Sequence, residues 1–218
     1  MPITAKLVAN LITTAGADRV LALDLHAAQI QGFFDIPMDH LTAVPVFLDH
    51  FRSRLRDMGE LVVLSPDMGN VKVADRIADL LGAELAIINK RRISGQEVAT
   101  RQIVGDVDGK TVLMFDDMIS TAGTVCEAAR VVVEQGAKDI IVAATHAVLV
   151  GPAIERLLSS PISRLVVTDT IPLSDSALAL GDRLEVLSIS SLLGDAIHNI
   201  NQDQSVSALF RDSVGPKR

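Results

Sequence analysis

Two adjacent carboxylates, Asp116 and Asp117, follow an apolar run at residues 112–115 and precede a hydroxyl-rich turn at residues 120–124. The apolar run is typical of a buried parallel strand, and open α/β sheets bind ligands at the ends of their strands. A turn that leads into a helix can hold a phosphate, because helix N-termini present unpaired N–H groups. The combination suits a phosphorylated sugar, with the phosphate in the turn and the ring hydroxyls or Mg²⁺ on the acids. As an alternative, each piece alone is common in solvated turns and helix caps.

Other charged groups follow further apolar runs. His26 lies two residues after Asp24 at the end of one predicted strand, and a lone histidine there is more often structural than a ligand. Asp67 opens a Gly-containing turn after residues 61–65, which can bind an anion or be an ordinary turn. Lys90 and Arg92 belong to a cationic run after residues 85–88. That run is either a solvated loop or a loop that closes over a transferring phosphoryl group and stabilises its charge.

Alternating strand and helix patterns are available to position these residues. Apolar periodicity, together with Gly and Pro at the boundaries, predicts helices at residues 3–15, 46–58, 71–81, 122–135, 153–159 and 190–201. Short apolar runs predict strands at residues 19–25, 61–65, 85–88, 112–115, 138–144, 165–168 and 184–187. This order predicts an α/β fold with a parallel sheet.

Composition narrows the functional classes. The chain has 218 residues, is 49% hydrophobic and only 3% aromatic, so the core must consist mainly of aliphatic side chains. A net charge of −7 argues against a nucleic-acid or membrane binder. The single Cys126 excludes an internal disulfide and fits a reducing compartment. No apolar run has the length of a membrane span and no signal peptide is recognisable, so we expect a cytoplasmic protein.

Two stretches resemble a known family. Residues 112–124 resemble the ribose-5-phosphate motif of type I phosphoribosyltransferases. Residues 24–37, Asp-Leu-His-Ala-Ala-Gln-Ile-Gln-Gly-Phe-Phe-Asp-Ile-Pro, closely resemble the signature of ribose-phosphate pyrophosphokinases, also called phosphoribosyl pyrophosphate synthetases. This resemblance implies a phosphoribosyltransferase-like domain at residues 47–200, preceded at residues 1–46 by the remnant of a second similar domain and followed by a tail at 201–218. It covers about residues 2–210, and we expect the chain to correspond to the C-terminal two thirds of a family member.

The resemblance also implies an activity and a set of site residues. The reaction would transfer the β,γ-diphosphoryl group of ATP to the 1-hydroxyl of ribose 5-phosphate, with Mg²⁺ as cofactor, in a homo-oligomer. Catalytic cations would be Lys90 and Arg92, and metal-site residues would be His26 and Asp67. The remaining matched positions would bind ribose 5-phosphate (Asp116, Asp117, Ser120, Thr121, Ala122, Gly123 and Thr124) and pyrophosphate or ATP (Asp67, Met68, Gly69 and Asn70).

The sequence departs from the common family pattern at three positions. Met68 stands where many members have His, Asn70 where many have Gly, and Ser120 where many have Asp. Two alternatives to the diphosphokinase also stay open, and the absence of about the first third of a family member favours the first of them. One is a catalytically inactive subunit or fragment that acts by association. The other, which the Asp24–Leu25–His26 phrase and the cationic run argue against, is a phosphoribosyltransferase acting on a base.

Overall fold

The computed structural model describes residues 2–91 and 100–213, and its centre is a seven-stranded sheet. In chain order the described strands are β1 (Val20–Leu23), β2 (Met38–Leu41), β3 (Leu61–Ser65), β4 (Glu84–Arg91), β5 (Thr100–Val104), β6 (Thr111–Ile119), β7 (Asp139–Ala147), β8 (Arg164–Thr168) and β9 (Leu184–Leu187). The described α-helices are α1 (Pro2–Thr14), α2 (Val44–Arg52), α3 (Leu55–Met58), α4 (Val71–Leu81), α5 (Gly123–Glu134), α6 (Ala153–Leu158) and α7 (Ser190–Asn201).

The large sheet has the strand order β5-β4-β3-β6-β7-β8-β9. All neighbouring pairs are parallel except β4 and β5, which are antiparallel. Helices connect most of the parallel strands, as parallel neighbours require a crossover. The carboxyl ends of β3, β6 and β7 therefore meet at one edge, which is where the sequence places its acids.

Apolar residues cover both faces of this sheet. Alternate residues of a strand point to opposite faces, so Met114 belongs to one core cluster with α5 and α6, while Leu113 and Phe115 belong to another with α2 and α4. Phe47 and Phe51 of α2 both pack edge-on against Phe115, with ring centroids 5.5 and 5.7 Å apart. Packing on both faces explains why the central strands are almost uniformly apolar.

The first forty or so residues form a smaller unit beside the large sheet. Strands β1 and β2 pair in parallel, and a 3-10 helix at Ala28–Phe33 connects them. Helix α1 precedes them, with Ile3, Leu7 and Leu11 exposed. The predicted boundary between residues 46 and 47 falls within α2, and the division into two domains stays a prediction.

Several elements differ from the sequence prediction. Strand β6 continues through Asp116 and Asp117 to Ile119, because β7 pairs with it as far as Ile119 and Ala147. The predicted loop after residue 88 begins as a continuation of β4, which pairs with β5. Strand β5 and the short β2 have no strong apolar pattern, so periodicity did not predict them.

Candidate active site

The acidic pair of β6 lies in a partly buried environment. Asp117 donates its backbone N–H to Asp116 Oδ1 at 2.9 Å. Burial, together with the hydrogen bond to and the charge of Asp117, raises the pKa of Asp116 to about 7. Burial also opposes ionisation of Asp117, but hydrogen bonds from Asp116 and His26 outweigh it and lower the pKa of Asp117. The pair therefore holds one permanent negative charge and a second that forms near neutral pH.

His26 joins this pair from the smaller unit near the start of the described chain. Its Nδ1 lies 2.6 Å from Asp117 Oδ2, across 91 residues of sequence. Because an ionised carboxylate only accepts hydrogen bonds, Nδ1 carries a proton and donates a hydrogen bond to Asp117. The imidazole is largely exposed, and no residue of the described ranges bonds its other nitrogen, Nε2, which can therefore bind a ligand.

The turn after β3 lies near the acidic pair and His26, and these three parts form the walls of the site. Asp67 Oδ1 accepts the backbone N–H groups of Gly69 and Asn70 at 2.9 and 3.1 Å, so the side chain shapes its own turn. The Asn70 amide donates to the carbonyl oxygen of Phe115 at 2.8 Å and so ties the turn to β6. Asn70 thus has a structural contact that glycine could not make. Among the described residues Asp67 Oδ2 has no hydrogen-bond partner, so this oxygen can accept a ligand.

These three walls enclose one cavity of about 730 Å³. Its lining includes His26, Asp67, Asp116 and Asp117, together with Gly69 and Asn70 of the predicted pyrophosphate turn. Met68 and the turn at residues 120–124 are not part of this lining within the described chain. An apolar side of the cavity is formed by Val44, Phe47, Val73, Ile77 and Phe115.

The turn at residues 120–124 lies directly after β6. Ser120, Thr121 and Thr124 are exposed, Ala122 adopts a left-handed backbone with φ of 57°, and α5 begins at Gly123 without a side-chain cap. The first-turn N–H groups of α5 are thus available to an anion. Arg156, which the sequence analysis did not identify, donates to the carbonyl oxygen of Thr121 at 3.0 Å.

The two cations that the sequence predicts to be catalytic, Lys90 and Arg92, fall at the edge of the described residues. Strand β4 includes the backbone of Lys90, but its side chain and all of Arg92 lie outside the described residues. Asp24 and Thr145 also line the cavity, and the sequence analysis assigned neither of them a role there. Asp24 could have been found from its position two residues before His26. Thr145 offered no such signal, because its role depends on which strand lies beside β6.

The acids of the cavity fit a magnesium ion. No group of three or more His, Cys, Asp or Glu side chains is close enough to bind a metal by itself in the part of the chain that is described. Mg²⁺ does not require such a group, since it commonly binds one or two carboxylates and completes its shell with water and substrate phosphates. Asp67, Asp116 and Asp117 supply suitable oxygens, and the second negative charge of the pair would be stabilised by a cation.

The helices of the described residues are short compared with a membrane span, which needs about 20 consecutive apolar residues. None that lies within residues 2–91 and 100–213 is long and apolar enough to cross a bilayer. The cytoplasmic location stays a prediction.

The chain is similar in sequence and in structure to known proteins. Residues 91–211 match the family described as the phosphoribosyl synthetase-associated domain. A ribose-phosphate pyrophosphokinase of Rhodopirellula baltica is 58% identical over 97% of this chain and 67% of its own length, and one of Clostridium acetobutylicum is 47% identical over 97% and 66%. The crystal structure of phosphoribosylpyrophosphate synthetase from Mycobacterium smegmatis is 44% identical, with a TM-score of 0.83 over 93% of this chain and 65% of that one.

These similarities confirm the α/β fold with a mostly parallel, phosphoribosyltransferase-like sheet and the resemblance noted in the sequence. The chain spans about two thirds of the length of the relatives that it matches. The family match, the sequence identity over nearly the whole chain and the shared fold lead to one conclusion: the chain belongs to the ribose-phosphate pyrophosphokinase family.

Proposed function

We propose that the protein transfers the diphosphoryl group of ATP to ribose 5-phosphate, giving phosphoribosyl pyrophosphate and AMP. The observation that carries the proposal is the 2.6 Å contact between His26 and Asp117. It brings the Asp-Leu-His segment and the Asp-Asp segment into one cavity with the Asp67 turn. Separately, these segments are compatible with many folds and functions, but together they supply groups for a sugar, a pyrophosphate and a divalent cation.

Different residues would bind different parts of the two substrates. The turn at residues 120–124 would bind the 5-phosphate through hydroxyls and the N–H groups of α5. Asp116 and Asp117 would accept the 2- and 3-hydroxyls of ribose, and the Asp67 turn would bind the diphosphoryl group. Lys90 and Arg92, as the family resemblance implies, would stabilise the charge of the transferring group. Most of the rate enhancement would then come from positioning and charge stabilisation.

One bond to the β-phosphorus forms and one breaks in this reaction. The ribose 1-hydroxyl oxygen forms a bond to the β-phosphorus of ATP and releases its proton to solvent. The bond between that phosphorus and the α,β-bridging oxygen breaks, and this oxygen leaves with the bonding electrons as a phosphate oxygen of AMP. A magnesium ion, when bound, supplies positive charge to the phosphate oxygens. Asp67 and Nε2 of His26 would hold it, as the family resemblance implies, and Nδ1–H of His26 would keep Asp117 ionised and oriented.

AMP formation from ATP, Mg²⁺ and ribose 5-phosphate tests the activity. We expect the purified chain to form AMP and the Lys90→Ala variant to lose that activity.

Binding should be measured separately by calorimetry with ribose 5-phosphate, with ribose as the unphosphorylated comparison. Asp116→Asn combined with Asp117→Asn should abolish binding. Asp169→Asn is a matched control, because Asp169 also follows a parallel strand but lies outside the cavity lining. Equal binding of ribose 5-phosphate by the unaltered chain, the double variant and Asp169→Asn would refute the site.

A second candidate function is association with further copies of the chain. It is favoured by the exposed apolar face of α1, where Ile3, Leu7 and Leu11 are 85%, 56% and 59% exposed. Such a continuous face is unusual for an isolated monomer. Light scattering should give a mass above the 23.2 kDa of one chain, and Leu7→Glu with Leu11→Glu should reduce it. A monodisperse monomer would contradict association. An associating chain that binds ribose 5-phosphate but forms no AMP would support the inactive-subunit alternative.

A further inference from the structure

The turn that carries His26 is held in an unusual conformation. Asp24, directly after β1, has a φ of 40°, in the left-handed region that most side chains avoid. Aspartate and asparagine enter this region more readily than other non-glycine residues. The chain bends at Asp24, and His26, two residues later, is part of the cavity lining.

One oxygen of Asp24 joins three separate parts of the molecule. Its Oδ2 accepts the backbone N–H of Ala43 at 2.8 Å and the hydroxyl of Thr145 at 2.7 Å. Ala43 directly precedes α2, and Thr145 is a buried residue of β7. The end of β1, the beginning of α2 and the central sheet are thus fixed to one another at a single carboxylate.

The next residue of β7 holds the same turn from another direction. His146 Nε2 lies 3.1 Å from the carbonyl oxygen of Leu23 and 3.2 Å from that of Asp24. Carbonyl oxygens only accept, so Nε2 is protonated and donates to both. His146 is also the register partner of Met118, the residue after Asp117. The strand that holds the turn is therefore the neighbour of the strand that carries the acid.

We propose that Asp24 is a positioning residue, whose carboxylate and left-handed backbone set the His26 imidazole on Asp117. It acts through His26 and not by contact with substrate. The alternative is that Asp24, which lines the cavity, binds a substrate hydroxyl or a metal through its charge. Asparagine separates these roles, because it keeps an acceptor oxygen and tolerates the left-handed backbone but has no charge. Any effect of Asp24 on AMP formation rests on the proposed function, whereas the placement of the His26 imidazole on Asp117 does not.

The ring ¹⁵N chemical shifts of His26 report the contact directly. At pH 7.5 we expect the unaltered chain to show protonation at Nδ1, the nitrogen that faces Asp117, and His26→Asn serves to assign the signals. Asp24→Asn should keep this pattern. Asp24→Ala should shift the ring toward the Nε2-protonated form that free histidine favours. Thr145→Val, which removes one of the two hydrogen bonds, should give an intermediate shift and keeps the test available if Asp24→Ala does not fold.

Three results would overturn the inference. The first is a His26 ring that is protonated at Nε2 in the unaltered chain. The second is a His26 ring in Asp24→Asn that gives the same shifts as in Asp24→Ala. The third is that Thr145→Val, and Asp24→Ala if it folds, give the same Nδ1 shift as the unaltered chain. Far-UV circular dichroism of each variant shows whether it folds. Calorimetry with ribose 5-phosphate on the same samples separates the two proposals. An expected His26 pattern without sugar binding would refute the proposed function alone, whereas sugar binding with unaffected His26 shifts would refute the positioning role alone.

Discussion

Replacing Asp116 by Asn should change how the stability of the protein depends on pH. The pKa of Asp116 is raised from its ordinary value of 3.8 to about 7, mainly by burial and then by Asp117. Between these two values the folded chain keeps a proton that the unfolded chain has released. Unfolding therefore releases a proton in this window, and the contribution of Asp116 to stability is lost as pH rises through about 7.

The size of the effect follows from the width of the window. Each pH unit corresponds to about 1.4 kcal/mol for a group that is fully shielded from water, so the range from pH 5 to pH 7 would give about 2.5 kcal/mol. Asp116 is partly accessible to solvent, which reduces the figure to about 1–2 kcal/mol. Asparagine does not titrate. We therefore expect Asp116→Asn to gain about 1–2 kcal/mol relative to the unaltered chain between pH 5 and pH 8.

Urea unfolding followed by far-UV circular dichroism measures this difference at each pH. The chain has no Trp and no Tyr, so intrinsic fluorescence is a poor probe. Asp169→Asn is the control. The pKa of Asp169 is lowered by hydrogen bonds from the Ile189 N–H and the Ser188 hydroxyl, so this carboxylate is ionised in both states across the range. Its replacement should lower the free energy of unfolding by the same amount at every pH between 5 and 8.

A parallel pair of curves for Asp116→Asn and the unaltered chain would refute the reasoning. It would mean that Asp116 titrates at the same pH in the folded and unfolded states, and that the acidic pair carries two full charges without a cation. A difference of the expected sign that disappears when Mg²⁺ or ribose 5-phosphate is added would show that these ligands stabilise the ionised pair.

Three further variants test other parts of the structure. His50→Leu should flatten the acid side of the stability profile between pH 5 and 7, because burial lowers the pKa of His50 below 6.5 and unfolding then takes up a proton; urea unfolding of both proteins should show this, and an unchanged slope would contradict it. Gly105→Ala should cost about 2–3 kcal/mol, since φ is 107° and a Cβ would lie 2.8 Å from a backbone oxygen of β4; a thermal midpoint equal to that of the unaltered chain would exclude the clash. Phe47→Ala should cost about 3–5 kcal/mol by removing the edge-on contact with Phe115, and a loss below about 1 kcal/mol in urea would show that the cavity wall collapses around the gap.

Much of the fold could be predicted because local patterns agree with the final packing. The helix at Val71–Leu81 and the strands at Leu61–Ser65 and Leu184–Leu187 have the predicted bounds. Each has a clear period or apolar run and a well-defined end, such as the left-handed Gly82 that caps α4. Strand β5 and the extension of β6 were missed for the opposite reason. Their residues are strands because a neighbouring strand pairs with them, and no periodicity within the segment records that partner.

The candidate site divides in the same way. Sequence alone determined which side chains are available for chemistry, and the motif at residues 24–37 alone was specific enough to indicate the family. Only the tertiary structure brought His26 to Asp117 and Asp24 to Thr145, because these contacts join residues 91 and 121 positions apart. The raised pKa of Asp116 is likewise a product of folding, since burial and a neighbouring charge exist only once β6 lies in the sheet. A sequence specifies which groups can react, but distance and burial decide which of them meet and in which charge state.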